Sequence, residues 1–148
     1  MEKILVSACL LGVRCRYDGR SVPCEALLQR LGELEAVPVC PEILGGLPTP
    51  RTPAERQDGR VMAKDGRDVT AQYRRGAGET LRLARLFGCR YALLKERSPS
   101  CGCGAIYDGS FTGTLTGGDG TAAELLCANG VQVFGETRLD ELLARLNG

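Results

Sequence analysis

A loop of serines, cysteines and glycines at residues 98–104 contains the side chains best suited to chemistry. These small polar residues add little to a hydrophobic core, and they allow a backbone to approach a ligand closely. The loop follows a short apolar run at residues 91–94, which is typical of a buried strand. Cys9 and Cys40 occupy equivalent positions, because each also follows an apolar run. Thiols at three strand ends therefore form the candidate site.

The composition restricts the chemistry of these thiols. The chain has 8 cysteines and no histidine, so a metal site must use thiolates, which prefer zinc or iron–sulfur clusters. We predict that Cys9, Cys40 and Cys101 act together as ligands; three unrelated buried thiols are the alternative. Three thiolates without a fourth form an open site, in which one coordination position, or one iron of a 4Fe–4S cluster, is free for substrate. Cys15 and Cys103 are candidates for a further ligand, a redox partner or an unreactive loop thiol.

Polar residues beside these thiols are candidates for catalysis. Glu42 lies two residues after Cys40 and is a candidate general acid or base. A solvated or ion-paired loop carboxylate is its alternative role. Ser98 and Ser100 flank a proline, so each either orients substrate and water or caps the turn.

Two further loops contain candidates for substrate binding. The planar guanidinium of Arg51 suits an anionic or carbonyl-rich group, although a surface position is nearly as consistent with the sequence. Tyr17 and Asp18 precede a glycine, so they indicate a turn first and a pocket wall second. The remaining cysteines lie on apolar helix faces or beside a strand, and we interpret them as structural thiols: Cys24, Cys89 and Cys127.

Alternating strands and helices position these residues. The pattern predicts an α/β fold, a single Rossmann-like domain over residues 1–148. We expect a four-stranded, mainly parallel sheet with helices on both faces and short hairpins or ordered loops over the strand carboxyl ends. Ligands of such sheets bind beyond those ends, where the three cysteines lie. The predicted strands cover residues 3–8, 36–40, 90–95 and 131–134, and the predicted helices cover 24–31, 70–87, 121–127 and 139–146.

Local signals give further expectations. Thr70 and Thr121 are candidate N-caps, and Gly32 and Gly88 are candidate C-terminal glycines. Prolines and glycines predict irregular structure at residues 40–53. An Asp-Gly pair predicts a small hairpin over residues 60–67, and a second hairpin or ordered loop follows at residues 106–120.

Charge and hydropathy exclude several partners. The net charge of +1 argues against a nucleic-acid polymer, which requires a basic excess. The 4 Tyr and 3 Phe, with no Trp, provide no base-stacking platform. No apolar stretch approaches the ~20 residues that span a bilayer, and the amino terminus lacks a signal peptide. We therefore expect a cytoplasmic protein without a membrane partner, in an oligomeric state that the sequence leaves open.

Five segments in the same order resemble a bacterial family long titled domain of unknown function 523, which includes the 2-thiouracil desulfidases. They are SACLLG at residues 7–12, CRYDG at 15–19, VCPE at 39–42, GGLPTPR at 45–51 and SPSCG at 98–102. The resemblance covers essentially the whole chain. It implies a Rossmann-like domain with a 4Fe–4S cluster on Cys9, Cys40 and Cys101.

The reaction implied by this resemblance is the hydrolytic desulfuration of a thiocarbonyl small molecule, such as 2-thiouracil, to the carbonyl product and sulfide. The iron without a protein ligand would take the thiocarbonyl sulfur, and water would attack the carbon. Glu42 would move the proton, assisted by Ser98 or Ser100. The whole chain would then be an enzyme of the desulfidase type with a small-molecule substrate.

Two other classes of function remain open from the sequence. A zinc- or cluster-stabilised binding module predicts a closed site of four thiolates, recruiting Cys15 or Cys103, with Glu42 facing solvent. A cluster-assembly or sulfur-carrier protein predicts an exposed apolar patch for a protein partner. The proline- and glycine-rich loops around the cysteines favour a substrate pocket instead.

Overall fold

The computed structural model describes all 148 residues, Met1–Gly148. None of its helices is long and apolar enough to cross a membrane. The strands are β1 (Lys3–Ser7), β2 (Glu35–Val39), β3 (Ala54–Gln57), β4 (Arg60–Ala63), β5 (Tyr91–Leu94), β6 (Ala105–Tyr107), β7 (Leu115–Gly117) and β8 (Gln132–Gly135). The helices are α1 (Glu25–Leu28), α2 (Pro41–Leu44), α3 (Thr70–Phe87), α4 (Thr121–Ala128) and α5 (Leu139–Asn147).

A four-stranded parallel sheet in the order β2-β1-β5-β8 confirms the predicted α/β architecture. The chain places β2 on one side of β1 and β5 on the other, so the strand order reverses between β1 and β5. Ligands of open α/β sheets bind beyond the strand carboxyl ends at such a point. Cys9, Cys40 and Cys101 all follow the carboxyl ends of sheet strands, as predicted.

The period-two alternation of the strands divides the core into two layers, one on each face of the sheet. The layer that includes α1 and α5 contains Ile4, Val6, Leu93, Phe134, Leu27, Leu139, Leu142 and Leu143. The layer that includes α3 and α4 contains Leu5, Ala92, Leu94, Val133, Leu81, Ala84, Ala123 and Leu126. Each fully buried leucine contributes about 1.5–3 kcal/mol to folding relative to an exposed one, so both layers hold the sheet rigid beneath the loops.

Two antiparallel hairpins lie outside the main sheet. The strand predicted at residues 60–63 is present as β4, but it pairs with the preceding strand β3 across Asp58 and Gly59. Both turn residues have positive φ, 47° and 81°, which matches the twist of a two-residue hairpin. The predicted turn at Asp65 and Gly66 is also present, because Met62 forms an antiparallel bridge with Asp68 and Ala63 N donates to Arg67 O at 2.8 Å. The prediction missed the strand β3 on the other side of β4. The second predicted hairpin is confirmed as β6 and β7.

The segment after Cys40, predicted to be irregular, begins with helix α2. Pro41 occupies the first turn of this helix, where its missing N–H breaks no hydrogen bond and its fixed φ suits the helix. The prediction is wrong here because proline breaks a helix only beyond its first turn. Cys40 is the N-cap residue of α2, so the helix fixes the direction of the Cys40 and Glu42 side chains.

Other helix ends correct the predicted boundaries. The first helix has a single turn, and Gly32 lies in a separate 3₁₀ turn rather than at its end. Thr70 and Thr121 are the first residues of α3 and α4, and neither is an N-cap. Gly120 takes the N-cap of α4 because a Cβ at that position would lie 2.5 Å from the Ser100 carbonyl carbon. The predicted end of α3 at Gly88 is confirmed, with φ of 67°.

Helices α2 and α3 touch through their backbones. A Cβ added to Gly76 would lie 1.8 Å from the carbonyl oxygen of Pro41, and one added to Gly45 would lie 2.0 Å from that of Gln72. Glycine is therefore required on both helices for this approach. The contact sets the position of α2, which carries Glu42.

We expect Gly76→Ala to lower the free energy of unfolding by about 1–3 kcal/mol, because overpacking must separate the two helices. Gly78 lies half a turn further along α3, and a Cβ added there would have no atom within 4 Å. Gly78→Ala should instead stabilise the chain by up to about 1 kcal/mol through helix propensity. Urea unfolding of both variants measures the difference; equal effects would show that the helices do not depend on this contact.

Candidate active site

A cavity of about 630 Å³ lies over the carboxyl ends of the sheet strands. Its floor comes from the loops after β1, β2 and β5, and residues of both hairpins complete its walls. Most of the predicted site residues line it: Cys9, Cys15, Tyr17, Cys40, Glu42, Arg51, Ser98, Ser100 and Cys101. The convergence follows from the parallel sheet, because strands that run in one direction end at one edge.

Four thiols line this cavity. Cys9 lies in a 3₁₀ turn after β1, and Cys101 lies in the turn after β5; both are buried. Cys15 is 4% exposed and its thiol is in contact with those of Cys9 and Cys40. Cys103 is outside this group, since its thiol donates to the carbonyl oxygen of Val133 at 3.6 Å. The structure thus brings together the three predicted ligands and one of the two additional candidates.

Burial controls the protonation of these thiols. Desolvation raises the pKa of Cys101 to about 12. The pKa of Cys40 is raised by contact with the Cys15 thiol and by burial. Without a cation the sulfurs of Cys40 and Cys101 are therefore protonated at neutral pH, and a bound metal must displace their protons.

The arrangement of the thiols distinguishes between kinds of metal site. Although the Cys15 thiol contacts two others, no group of three or more Cys, Asp or Glu side chains has the geometry to hold a single metal ion. A zinc site needs such convergence, because its ligands share one atom at about 2.0–2.3 Å. In an iron–sulfur cluster each cysteine binds a different iron, so the sulfurs stand apart around the cluster. Thiols that line one cavity without single-ion geometry therefore fit a cluster better than a zinc ion.

Glu42 points into the cavity and is held at both of its oxygens. Arg51 Nε donates to Oε1 at 2.9 Å, and Ser100 Oγ donates to Oε2 at 2.9 Å. The Arg51 and Glu42 side chains are only 6% and 14% exposed, so the ion pair lies largely away from water. Charge-assisted hydrogen bonds of this length fix a carboxylate firmly.

The two serines form a directional chain with this carboxylate. Ser98 Oγ accepts hydrogen bonds from the backbone N–H groups of Ser100 and Cys101, both at 3.2 Å. The Ser98 and Ser100 hydroxyls are 3.0 Å apart. Since Ser100 donates to Glu42, its hydroxyl oxygen can accept from Ser98. Ser98 therefore shapes the turn and orients Ser100, while Ser100 contacts the carboxylate.

Of the three residues predicted to bind substrate, Tyr17 and Arg51 line the cavity and Asp18 does not. Tyr17 lines the cavity and is partly exposed, whereas Asp18 lies outside it and caps its own turn by accepting from Arg20 N at 3.0 Å. Arg51 lines the cavity, but its donors are used within the protein. It donates to Glu42, to the carbonyl oxygen of Cys15 at 2.9 Å, and to Pro48 O and Thr49 Oγ1, each at 3.1 Å.

Sequence reasoning missed several residues of the cavity. Glu136 accepts from Lys95 Nζ at 3.2 Å and from the backbone N–H of Glu96 at 3.0 Å. Glu136 directly follows β8, so the rule that identified the cysteines at strand ends also applies to it. Tyr73 belongs to the apolar stripe of α3, and its spacing gives no signal of a position in the cavity wall.

A solved structure and a curated protein are both similar to this chain over almost its whole length. The 4Fe–4S-dependent thiouracil desulfidase TudS has 51% sequence identity and a TM-score of 0.91, with 99% of each chain covered. The uncharacterised protein YbbK of Bacillus subtilis (strain 168) is 41% identical over 150 residues, which are 95% of this chain and 99% of YbbK.

A family match covers the elements that build the cavity. Residues 4–138 match the 2-thiouracil desulfurase family, and this range contains every thiol, hydroxyl and carboxylate described above. The match also bears out the resemblance carried by the five sequence segments. The chain therefore belongs to the 2-thiouracil desulfurase family, which is a family of enzymes.

Proposed function

We propose that this chain catalyses the hydrolytic desulfuration of a thiocarbonyl small molecule such as 2-thiouracil. In the balanced reaction, the C=S group and water give a C=O group and hydrogen sulfide. The observation that carries the proposal is the shared cavity: buried thiols and a fixed carboxylate–hydroxyl pair face the same space. The similarity to TudS supports the choice of substrate and cofactor.

The proposed cofactor is a 4Fe–4S cluster held by Cys9, Cys40 and Cys101. When bound, a cluster with three protein ligands supplies one iron that is open to a soft sulfur atom and acts as a Lewis acid. The soft donor set and the absence of a single-ion site support this assignment over zinc. Cys15 contributes a fourth thiol to the wall without being required as a ligand.

Glu42 is proposed as the proton-transfer residue. Arg51 holds Oε1, so Oε2 is the oxygen that takes a proton from the attacking water and later returns it to the departing sulfur. Ser100 Oγ lies at hydrogen-bond distance from Oε2 and can bridge to the water. Ser98 keeps the Ser100 hydroxyl oriented. Each of these steps moves a proton to or from a named oxygen atom, and no electrons are exchanged with a partner.

The position of Glu42 also counts against a binding module without catalysis. Such a module predicts that Glu42 faces solvent, but its side chain is 14% exposed and paired inside the cavity. Tyr17 is proposed as a wall of the substrate site because it lines the same space. Arg51 is proposed to hold Glu42 rather than to bind the substrate.

The cluster assignment predicts the metal content of cysteine variants. Purified and reconstituted without oxygen, the wild type should hold about four irons and four sulfides per chain. Cys9→Ser, Cys40→Ser and Cys101→Ser should each lose most of this iron, because each removes one of only three ligands. Cys24→Ser is the control, since Cys24 packs against the core outside the cavity.

Iron, sulfide and zinc analysis with absorption spectroscopy measures these contents. Cys15→Ser should keep its iron, and loss there equal to that of Cys101→Ser would indicate a closed site of four thiolates. Stoichiometric zinc with no iron, even after anaerobic reconstitution, would rule out the proposed cofactor.

The role of Glu42 predicts a specific loss of turnover. Glu42→Gln should lower kcat for sulfide release from 2-thiouracil by about 10²–10⁴ with an intact cluster, because an amide cannot accept the proton. Glu55→Gln is a matched control on the cavity wall. Glu55 Oε1 accepts from the backbone N–H groups of Gly109 and Phe111 at 3.0 and 3.1 Å, and a glutamine oxygen can replace it. Equal turnover of Glu42→Gln and wild type would remove Glu42 from the mechanism.

A further inference from the structure

Ser7 is a buried hydroxyl at the end of an otherwise apolar strand. It is only 2% exposed, and it follows three fully buried residues of β1: Ile4, Leu5 and Val6. A hydroxyl removed from water at such a position destabilises the fold unless it is hydrogen-bonded. Ser7 also lines the cavity, so its hydrogen bonds affect the site as well as the sheet.

The oxygen of this hydroxyl is used by the neighbouring strand. Ser7 Oγ accepts a hydrogen bond from the backbone N–H of Lys95 at 2.8 Å. Lys95 directly follows β5, so this bond joins the carboxyl ends of β1 and β5. A serine hydroxyl is a donor as well as an acceptor. Because the Lys95 N–H occupies the oxygen, the hydroxyl proton points to a different partner.

That partner is the sulfur of Cys101, with which the Ser7 hydroxyl is in hydrogen-bonding contact. A second hydroxyl lies beside the same sulfur, since Ser100 Oγ is 3.5 Å from Cys101 Sγ. Ser100 has one hydroxyl proton, and it donates this proton to Glu42 at the shorter distance of 2.9 Å. Ser7 is therefore the hydroxyl whose proton is free for the sulfur.

A hydrogen bond to a metal-bound thiolate withdraws electron density from the sulfur. Hydrogen bonds to the sulfurs are among the features that set the reduction potential of an iron–sulfur cluster. The same withdrawal makes the metal a stronger Lewis acid, because the thiolate donates less charge to it. The Lys95 N–H fixes the Ser7 oxygen, so the direction of the bond to Cys101 is fixed as well.

We propose that Ser7 is a positioning residue whose hydroxyl donates a hydrogen bond to the Cys101 sulfur and so raises the reduction potential of the proposed 4Fe–4S cluster. This inference rests on the proposed function through the assignment of Cys101 as a cluster ligand. Ser7 acts through this ligand and does not contact the substrate in this role.

The test is a redox titration of the anaerobically loaded protein, in which electron paramagnetic resonance measures the reduced cluster. At the midpoint potential of the wild type, the ratio of reduced to oxidised cluster should fall about ten-fold in Ser7→Ala, because the reduced state is the more negative and gains more from the hydrogen bond. A ten-fold change corresponds to about 59 mV for one electron. Ser7→Gly removes the same hydroxyl and should shift the potential in the same direction. Ser7→Thr keeps the hydroxyl and should retain the wild-type potential.

Two control variants separate this role from a general loss of stability. Thr80→Val removes another fully buried hydroxyl, which donates to the carbonyl oxygen of Gly76 at 2.7 Å within α3, and it should leave the potential unchanged. Ser100→Ala should lower turnover through Glu42 but shift the potential less than Ser7→Ala, because the carboxylate uses its proton. Iron analysis should give about four irons per chain in every variant.

An unchanged potential in Ser7→Ala and Ser7→Gly would overturn the inference, and an equal shift in Thr80→Val or Ser7→Thr would do the same by indicating a packing effect. A shift in Ser100→Ala at least as large as that in Ser7→Ala would assign the hydrogen bond to Ser100 instead. Loss of iron from folded Ser7→Ala would also overturn the inference, because the hydroxyl would then be needed to hold the metal.

The same experiment separates this inference from the proposed function. If Ser7→Ala shifts the potential but the loaded wild type releases no sulfide from 2-thiouracil, the proposed reaction alone is refuted. A wild type that takes up no iron would refute both.

Discussion

The buried ion pair between Arg51 and Glu42 is the interaction on which the cavity depends. A charge taken out of water is tolerated only when it is paired and its remaining hydrogen-bonding groups are satisfied. Arg51 meets this condition by donating to Glu42, to the carbonyl oxygen of Cys15 and to the loop at Pro48 and Thr49. One guanidinium therefore joins the loop after β1, helix α2 and its own segment. The hydrogen bonds of this one side chain therefore hold three walls of the cavity together.

The wall supplied by the hairpins depends on a second group of charges. Glu55 on β3 accepts from backbone N–H groups of the loop between β6 and β7. Arg56, the next residue, donates to Glu124 Oε2 at 2.7 Å and to the carbonyl oxygen of Asp119 at 2.6 Å. Successive residues of one strand thus reach the second hairpin and the start of α4. Because the loops contain few apolar residues, these polar contacts take the place of a core in holding them.

The parts of the molecule that follow a regular pattern along the chain were predictable from sequence. Apolar runs predict the four sheet strands, and the rule that parallel strands end at one edge predicts the convergence of Cys9, Cys40 and Cys101. The errors arise where the same residue type is compatible with more than one local structure. Pro41 can break a helix or begin one, and β4 has an Asp-Gly turn on each side, at residues 58–59 and 65–66, of which only the second was predicted. A local sequence pattern does not determine which local structure forms at these positions, because tertiary contacts select it.

The polar contacts of the site depend on side-chain reach, which spacing does not encode. Arg51 and Glu42 are nine residues apart on different segments, and Ser100 meets Glu42 across 58 residues. Cys103 is only two residues from Cys101, yet its thiol turns away from the cavity to the carbonyl oxygen of Val133. The irregular turn between the two cysteines, rather than their spacing, sets these directions.

The same hydrogen bonds determine how the charges of the cavity are partnered. Arg51 is fixed against Glu42 by its three other hydrogen bonds, to Cys15, Pro48 and Thr49. Lys95 Nζ donates to Glu136 at 3.2 Å on another part of the cavity wall. Each of these carboxylates is therefore positioned by a cation of the same chain, because a charge removed from water must be paired. The polar groups of the cavity are thus ordered by contacts within the protein rather than by a bound molecule.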